Sequence, residues 1–165
     1  MGIDVRALSF SYGGAPVLRD LSFSTRGGEV IALLGPNGVG KSTLFRCLLG
    51  FLKPTQGEIL VSGMGLSSDS RRGLAREIAY IPQSHSPTFN YTVRESVLMG
   101  VTARLGPLES PTEEQQSLVM QTLSQLGIAH LAGRGSQNIS GGERQLMLIA
   151  RALVQDARVL IMDEP

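Results

Sequence analysis

Residues Gly35-Pro-Asn-Gly-Val-Gly-Lys41-Ser42 constrain this chain more than any other part of it. They separate a continuous apolar run, Glu29-Val-Ile-Ala-Leu-Leu34, from a helical pattern over Lys41–Leu49 that Gly50 stops. The run is bounded by Gly28 and Gly35 and is expected to be a strand buried on both faces. Glycine, four residues, then Gly-Lys-Ser is the spacing of a turn that curls its N–H groups inward around phosphate. The helix that follows adds the positive end of its dipole. Lys41 is then placed to reach β- and γ-phosphates, and the Ser42 hydroxyl to bind Mg²⁺. With 20 glycines but only two lysines in 165 residues, this spacing arises by chance in roughly one such chain in a few hundred.

Composition narrows the setting. Hydrophobic residues make up 42% and charged residues 18% of the chain, enough apolar material for a core and too much for a disordered tail. A formal charge of +1 argues against a strongly basic nucleic-acid binder and against an acidic solvating tail. Cys47 is the single cysteine and has no internal disulfide partner, so no oxidising compartment is called for. No apolar stretch approaches the roughly 18 residues of a membrane span. The start, Met1-Gly-Ile-Asp-Val-Arg, lacks the basic-then-apolar pattern of a signal peptide. A cytosolic protein of one domain is expected, free to dock on a membrane partner.

Along the chain, Ile3, Val5, Ala7, Leu8 and Phe10, then Val17, Leu18, Leu21 and Phe23, read as two strands joined across Gly13-Gly14. Glu58–Val61 and Ile78–Ile81 are further strand candidates. Strand signals stop from Ser84 to Gly135, where helical patterns run over Val93–Arg104 and Glu113–Leu126, a helical insertion in an α/β domain. The strand–helix style then returns. Ser140-Gly-Gly-Glu143 fits a capping box, and Leu146, Ile149, Ala150 and Leu153 place an apolar stripe on the helix behind it. Val159–Met162 reads as another buried strand.

Two of these segments carry chemistry. A carboxylate at the carboxyl end of a buried strand lies where doubly wound folds place ligand groups, so Asp163 is expected beside a metal. Glu164 points to the other side of the strand and is free to orient or deprotonate a water. The start of the helix behind Ser140, with uncovered N–H groups and a serine hydroxyl, is a second anion site. By itself it is equally an ordinary capped helix.

Together these segments resemble the ATP-binding subunit of an ABC transporter. Gly35, Pro36, Asn37, Gly38, Val39, Gly40, Lys41, Ser42 and Thr43 resemble the Walker A loop and the residue after it. Ile139-Ser140-Gly141-Gly142-Glu143 resembles the signature motif, and Val159–Asp163 with Glu164 resembles Walker B and the catalytic glutamate. Tyr12 matches the aromatic that stacks on adenine in that family. Gln83, in Tyr80-Ile-Pro-Gln83, matches the glutamine that contacts the metal and the attacking water. The resemblance implies a P-loop NTPase (RecA-like) α/β core over 1–83 and 136–165, with an N-terminal antiparallel β part and a helical subdomain over 84–135. It implies ATP and Mg²⁺ as cofactors, with Glu164 and Gln83 catalytic and Ser42, Gln83 and Asp163 around the metal.

The same resemblance implies partners. A second ATP-binding subunit would pair head-to-tail, integral membrane permease subunits would meet the helical subdomain, and a periplasmic or surface binding protein would act indirectly. Nucleic acid is not expected, and the subunit would sit on the cytoplasmic face of the cell membrane. Pro82–Val93 and Val97-Leu-Met-Gly100, with Glu143 in the signature, are similar to importers of iron–siderophore, haem and cobalamin. Ile139 departs from the usual leucine. In the family the pattern continues past Pro165 into further strands and a histidine switch, one of those strands lying between the Walker A and Walker B strands. The chain is therefore expected to be a fragment of a protein of roughly 250 residues. Three alternatives remain: a soluble ABC-type ATPase without a permease, a phosphate-loop kinase in which Ser140–Glu143 has no task, and a nucleotide-binding remnant without turnover.

Overall fold

A computed structural model describes residues 2–66, 71–83, 89–106 and 108–163. They fall into two compact units, Met1–Ile78 and Ala79–Pro165.

The first unit is built on a four-stranded sheet in the order β2-β1-β3-β4, comprising β1 (Ile3–Phe10), β2 (Leu18–Ser24), β3 (Gln56–Val61) and β4 (Met64–Gly65). Its neighbouring strands are antiparallel. The expected alternation of β1 holds at Ile3, Val5, Leu8 and Phe10, which are buried, but Ala7 is exposed. A register shift between Val5 and Leu8 explains it: an extra residue bulges out and returns Leu8 and Phe10 to the core face. Helix α1 (Lys41–Leu48) buries Thr43, Leu44, Cys47 and Leu48. Burial pushes the Cys47 thiol up to about 11, so it stays protonated and inert. A short helix, α2 (Arg71–Glu77), completes this unit.

The apolar run Glu29–Leu34 is not a strand, and this corrects the sequence expectation. Val30 is 99% and Leu34 91% exposed. Among the described residues no strand pairs with it, and β5 (Ile78–Ile81) pairs with β6 (Val159–Met162) in a sheet of their own. A doubly buried strand needs neighbours at both edges to take its N–H and C=O groups. Without them the run stays irregular, whatever its hydropathy.

The second unit packs α3 (Val93–Leu98) and α4 (Glu113–Gln125) against α5 (Gly141–Val154). Ile81, Val93, Val97, Val119, Leu123 and Met147 form the centre of its core. The expected Val93–Arg104 helix is present in two parts, α3 followed by a 3₁₀ helix over Met99–Arg104. Strand β6 is less buried than expected: Ile161 is inside, whereas Leu160 and Met162 are each 45% exposed. Backbone bonds tie the segment leading to α5 onto the start of α3, from Val93 N–H to the Arg134 carbonyl (2.9 Å) and from Ser136 N–H to the Tyr91 carbonyl (2.7 Å).

Gly100 marks the closest approach of the 3₁₀ helix to α5. A Cβ there would stand 2.2 Å from the Arg151 carbonyl oxygen and 2.7 Å from the Val154 side chain. Overpacking against backbone has no side-chain escape, so Gly100→Ala is expected to lower stability by about 1–3 kcal/mol. Urea denaturation followed by circular dichroism checks this, and an unchanged midpoint would contradict the packing described.

Candidate functional site

Helix α1 begins differently from α3, α4 and α5. Gly40 caps it in the left-handed region (φ 107°), no side chain caps the first turn, and no acidic residue lies in that turn. By contrast α3, α4 and α5 open on capping boxes, Thr92–Glu95, Thr112–Gln115 and Ser140–Glu143. The first N–H groups of α1 have no intrahelical acceptor and so present a cluster of donors. Lys41 adds its ammonium, which donates to the Gly35 carbonyl (2.6 Å) and the Pro36 carbonyl (3.1 Å) and folds the turn over itself. The turn from Gly35 to Val39 is exposed, as is Ser42.

The β1–β2 hairpin sits against this turn. At Gly40 a Cβ would meet Leu18 Cδ2 at 3.1 Å and Val17 Cγ1 at 3.2 Å, so both conformation and space ask for glycine. Tyr12, on the same hairpin, is 59% exposed. Its hydroxyl lies 3.4 Å from the Thr43 hydroxyl on α1. The first unit thus brings Tyr12 and Gly35–Thr43 into one neighbourhood.

In the second unit, Ser140 Oγ accepts from Glu143 N–H (3.3 Å) while Glu143 Oε2 accepts from Ser140 N–H (2.7 Å). Donation to the Glu143 carboxyl from the Ser140 backbone N–H first, and from its hydroxyl second, holds that carboxyl below its ordinary range, with Arg134 and His130 adding a smaller pull. Gly141 and Gly142 are exposed, with no heavy atom within 4 Å of where a Cβ would stand. An anion can approach there, although it meets the Glu143 carboxylate at the same helix start.

Asp163 follows β6 and is buried. Its N–H donates to the Ile81 carbonyl (3.0 Å), and its Oδ2 accepts from the Tyr80 hydroxyl (3.4 Å). Tyr80 is a site neighbour that the motif reading overlooked, and its place on the strand paired with β6 is the signal that could have found it. Gln83 is exposed just beyond β5. Glu164 lies outside the described residues.

No group of three or more His, Cys, Asp or Glu side chains converges on a metal position among the described residues. Ser42 in the first unit carries a hydroxyl, and Gln83 and Asp163 in the second carry an amide oxygen and a carboxylate. Such hard oxygen donors, few in number, fit Mg²⁺, which keeps most of its shell for phosphate and water. Among the described residues no helix is long and apolar enough to cross a membrane.

A family model described as "ABC transporter" matches residues 18–165. The chain belongs to the ABC transporter family. An uncharacterized ABC transporter ATP-binding protein of Haemophilus influenzae is 42% identical over 165 residues, covering 100% of this chain and 63% of that protein. The cobalamin import ATP-binding protein BtuD of Halobacterium salinarum is 40% identical over 168 residues, covering 100% of this chain and 41% of that one. Among solved structures, cbiO1 of Clostridium perfringens, part of the ABC transporter complex cbiONQ, aligns with a TM-score of 0.84. It is 33% identical, with 99% of this chain and 65% of that one covered. The chain therefore has the ABC ATPase fold and spans less than two thirds of the length of these relatives.

The capping box gives a test of the α5 start. Ser140→Ala removes the hydroxyl acceptor and is expected to cost about 1 kcal/mol of stability. Ser140→Asn, which can still cap, should recover most of that loss in thermal melts. Equal melting of all three would show that the box contributes nothing.

Proposed function

We propose that this chain is the ATP-binding and ATP-hydrolysing part of an ABC importer subunit. The observation that carries the reading is the start of α1, where uncapped backbone donors and Lys41 meet in an exposed, glycine-built turn. Backbone N–H groups and a lysine at a helix start suit a triphosphate, the more so with the helix dipole behind them. Tyr12 offers an aromatic surface to the adenine. Ser42, Gln83 and Asp163 would hold Mg²⁺, which when bound neutralises phosphate charge. Glu164 is assigned the base that orients or deprotonates the attacking water, with Gln83 also placed to contact that water.

Family resemblance extends the proposal to assembly. Two copies pair head-to-tail, so that Gly35–Thr43 of one and Ser140–Glu143 of the other hold the same ATP. The closed pair binds ATP better than ADP, and that difference drives the cycle. Permease subunits meet the helical subdomain, assigned to 84–135, while 1–83 and 136–165 form the core. The subunit works from the cytoplasmic face of the cell membrane, and a periplasmic or surface binding protein delivers the cargo. The similarity of Pro82–Val93 and Val97–Gly100 to iron–siderophore, haem and cobalamin importers, together with the cobalamin relative, favours a cargo of that class.

Two substitutions test this function. Lys41→Ala removes the ammonium and should abolish measurable MgATP binding by calorimetry; retained affinity would refute the phosphate assignment. In a full-length protein, Glu164→Gln should keep ATP binding, lower turnover by at least 10²-fold, within the usual range for loss of a general base, and trap an ATP-bound dimer. Unchanged turnover would remove Glu164 from the mechanism.

A further inference from the structure

Tyr12 is the most exposed aromatic on the hairpin beside the phosphate turn, yet contacts in the structure restrain it at three levels. Ser11 Oγ accepts from the N–H groups of Gly13 and Gly14, both at 3.1 Å, and donates to the Gly14 carbonyl at 2.6 Å, which fixes the backbone of the turn. The Tyr12 ring meets Phe10 with centroids 4.8 Å apart and planes at 87°, an edge-to-face pair. The Tyr12 hydroxyl reaches Thr43, which follows Ser42 directly on α1.

Phe10 is buried at the end of β1, opposite Leu18. Leu18 in turn packs on Gly40, the residue that starts α1. Phe10 therefore leans on the phosphate turn through Leu18 and on the exposed aromatic through the ring pair. A tyrosine on a glycine turn without such a neighbour would sample several rotamers, and ordering it would fall to the ligand.

We infer that Phe10 is a positioning residue that sets the distance and tilt of the Tyr12 ring relative to the phosphate turn. It thereby supplies the preference for a nucleoside triphosphate over bare triphosphate. The inference rests on the ATP-binding reading above and adds to it a residue that touches no ligand. Its signature is selective: losing the Phe10 ring weakens binding of the base while leaving the phosphate grip intact.

The test is calorimetric titration of the 165-residue chain with MgATP and, separately, with magnesium tripolyphosphate. Phe10→Leu is expected to weaken MgATP about fivefold, in line with the value of an edge-to-face aromatic pair, and to leave tripolyphosphate within about twofold. Phe10→Tyr keeps the ring and should bind both as the parent does. Phe10→Met, closer to the parent in length, replaces the leucine variant if circular dichroism shows that the latter does not fold. An unchanged ratio of the two affinities in the ring-less variant overturns the inference, as does an equal loss for both ligands. Tyr12→Ala separates the levels. If it lowers the ratio and Phe10→Leu does not, the positioning role alone fails. If it too leaves the ratio unchanged, the adenine reading of Tyr12 fails as well.

Discussion

A helix start that its own side chains leave uncapped is an unsatisfied electrostatic object, and in this chain the neighbourhood of α1 is arranged around one. Gly40 admits the left-handed turn, and Val17 and Leu18 close on it so tightly that a side chain has no room. Lys41 returns to the loop's own Gly35 and Pro36 carbonyls and ties the turn to the start of α1. The donors of the first turn remain turned outward. Each of these features costs stability in a helix that is only structural: a glycine cap, no serine or aspartate at the N-terminus, a cation where the dipole prefers an anion. Together they make sense when a phosphate supplies the missing charge.

The second unit uses the opposite solution. At α5 the helix start is capped reciprocally by Ser140 and Glu143, and the same serine presents a hydroxyl beside two bare glycines. Glu143 thus serves the helix first, and its carboxylate tempers how strongly this end attracts an anion. The two helix starts thus differ in kind: α1 leaves its first donors without a side-chain cap, whereas α5 caps its own.

Much of this was legible from residues alone because it is local. Strands Ile78–Ile81 and Val159–Met162, the helix from Lys41 and the box at Ser140–Glu143 depend on runs, caps and glycines that lie within a few positions of one another. Where the reading failed, the cause lay outside the segment. Glu29–Leu34 has the hydropathy of a buried strand, but burial and pairing are supplied by neighbours, and among the described residues it has none. The exposed Ala7 turns on a bulge that no alternation pattern encodes, and Leu160 and Met162 lie on the face of β6 opposite the buried Ile161. Of the candidate site, the phosphate turn and Tyr12 were readable as motifs. The supports of the site were not, since Phe10 and Tyr80 look like ordinary strand aromatics until their rings are placed.

The account stands on backbone donors at the start of α1 taking up phosphate. Nuclear magnetic resonance of the ¹⁵N-labelled chain during titration with MgATP tests that directly, because each amide reports its own acceptor. The amides of Gly38, Gly40, Lys41 and Ser42 should shift together along one binding curve, while those of Glu113 and Glu114, at the capped start of α4, stay in place. Saturation by MgATP without movement of the Gly38–Ser42 amides, or with equal movement at α4, would contradict it.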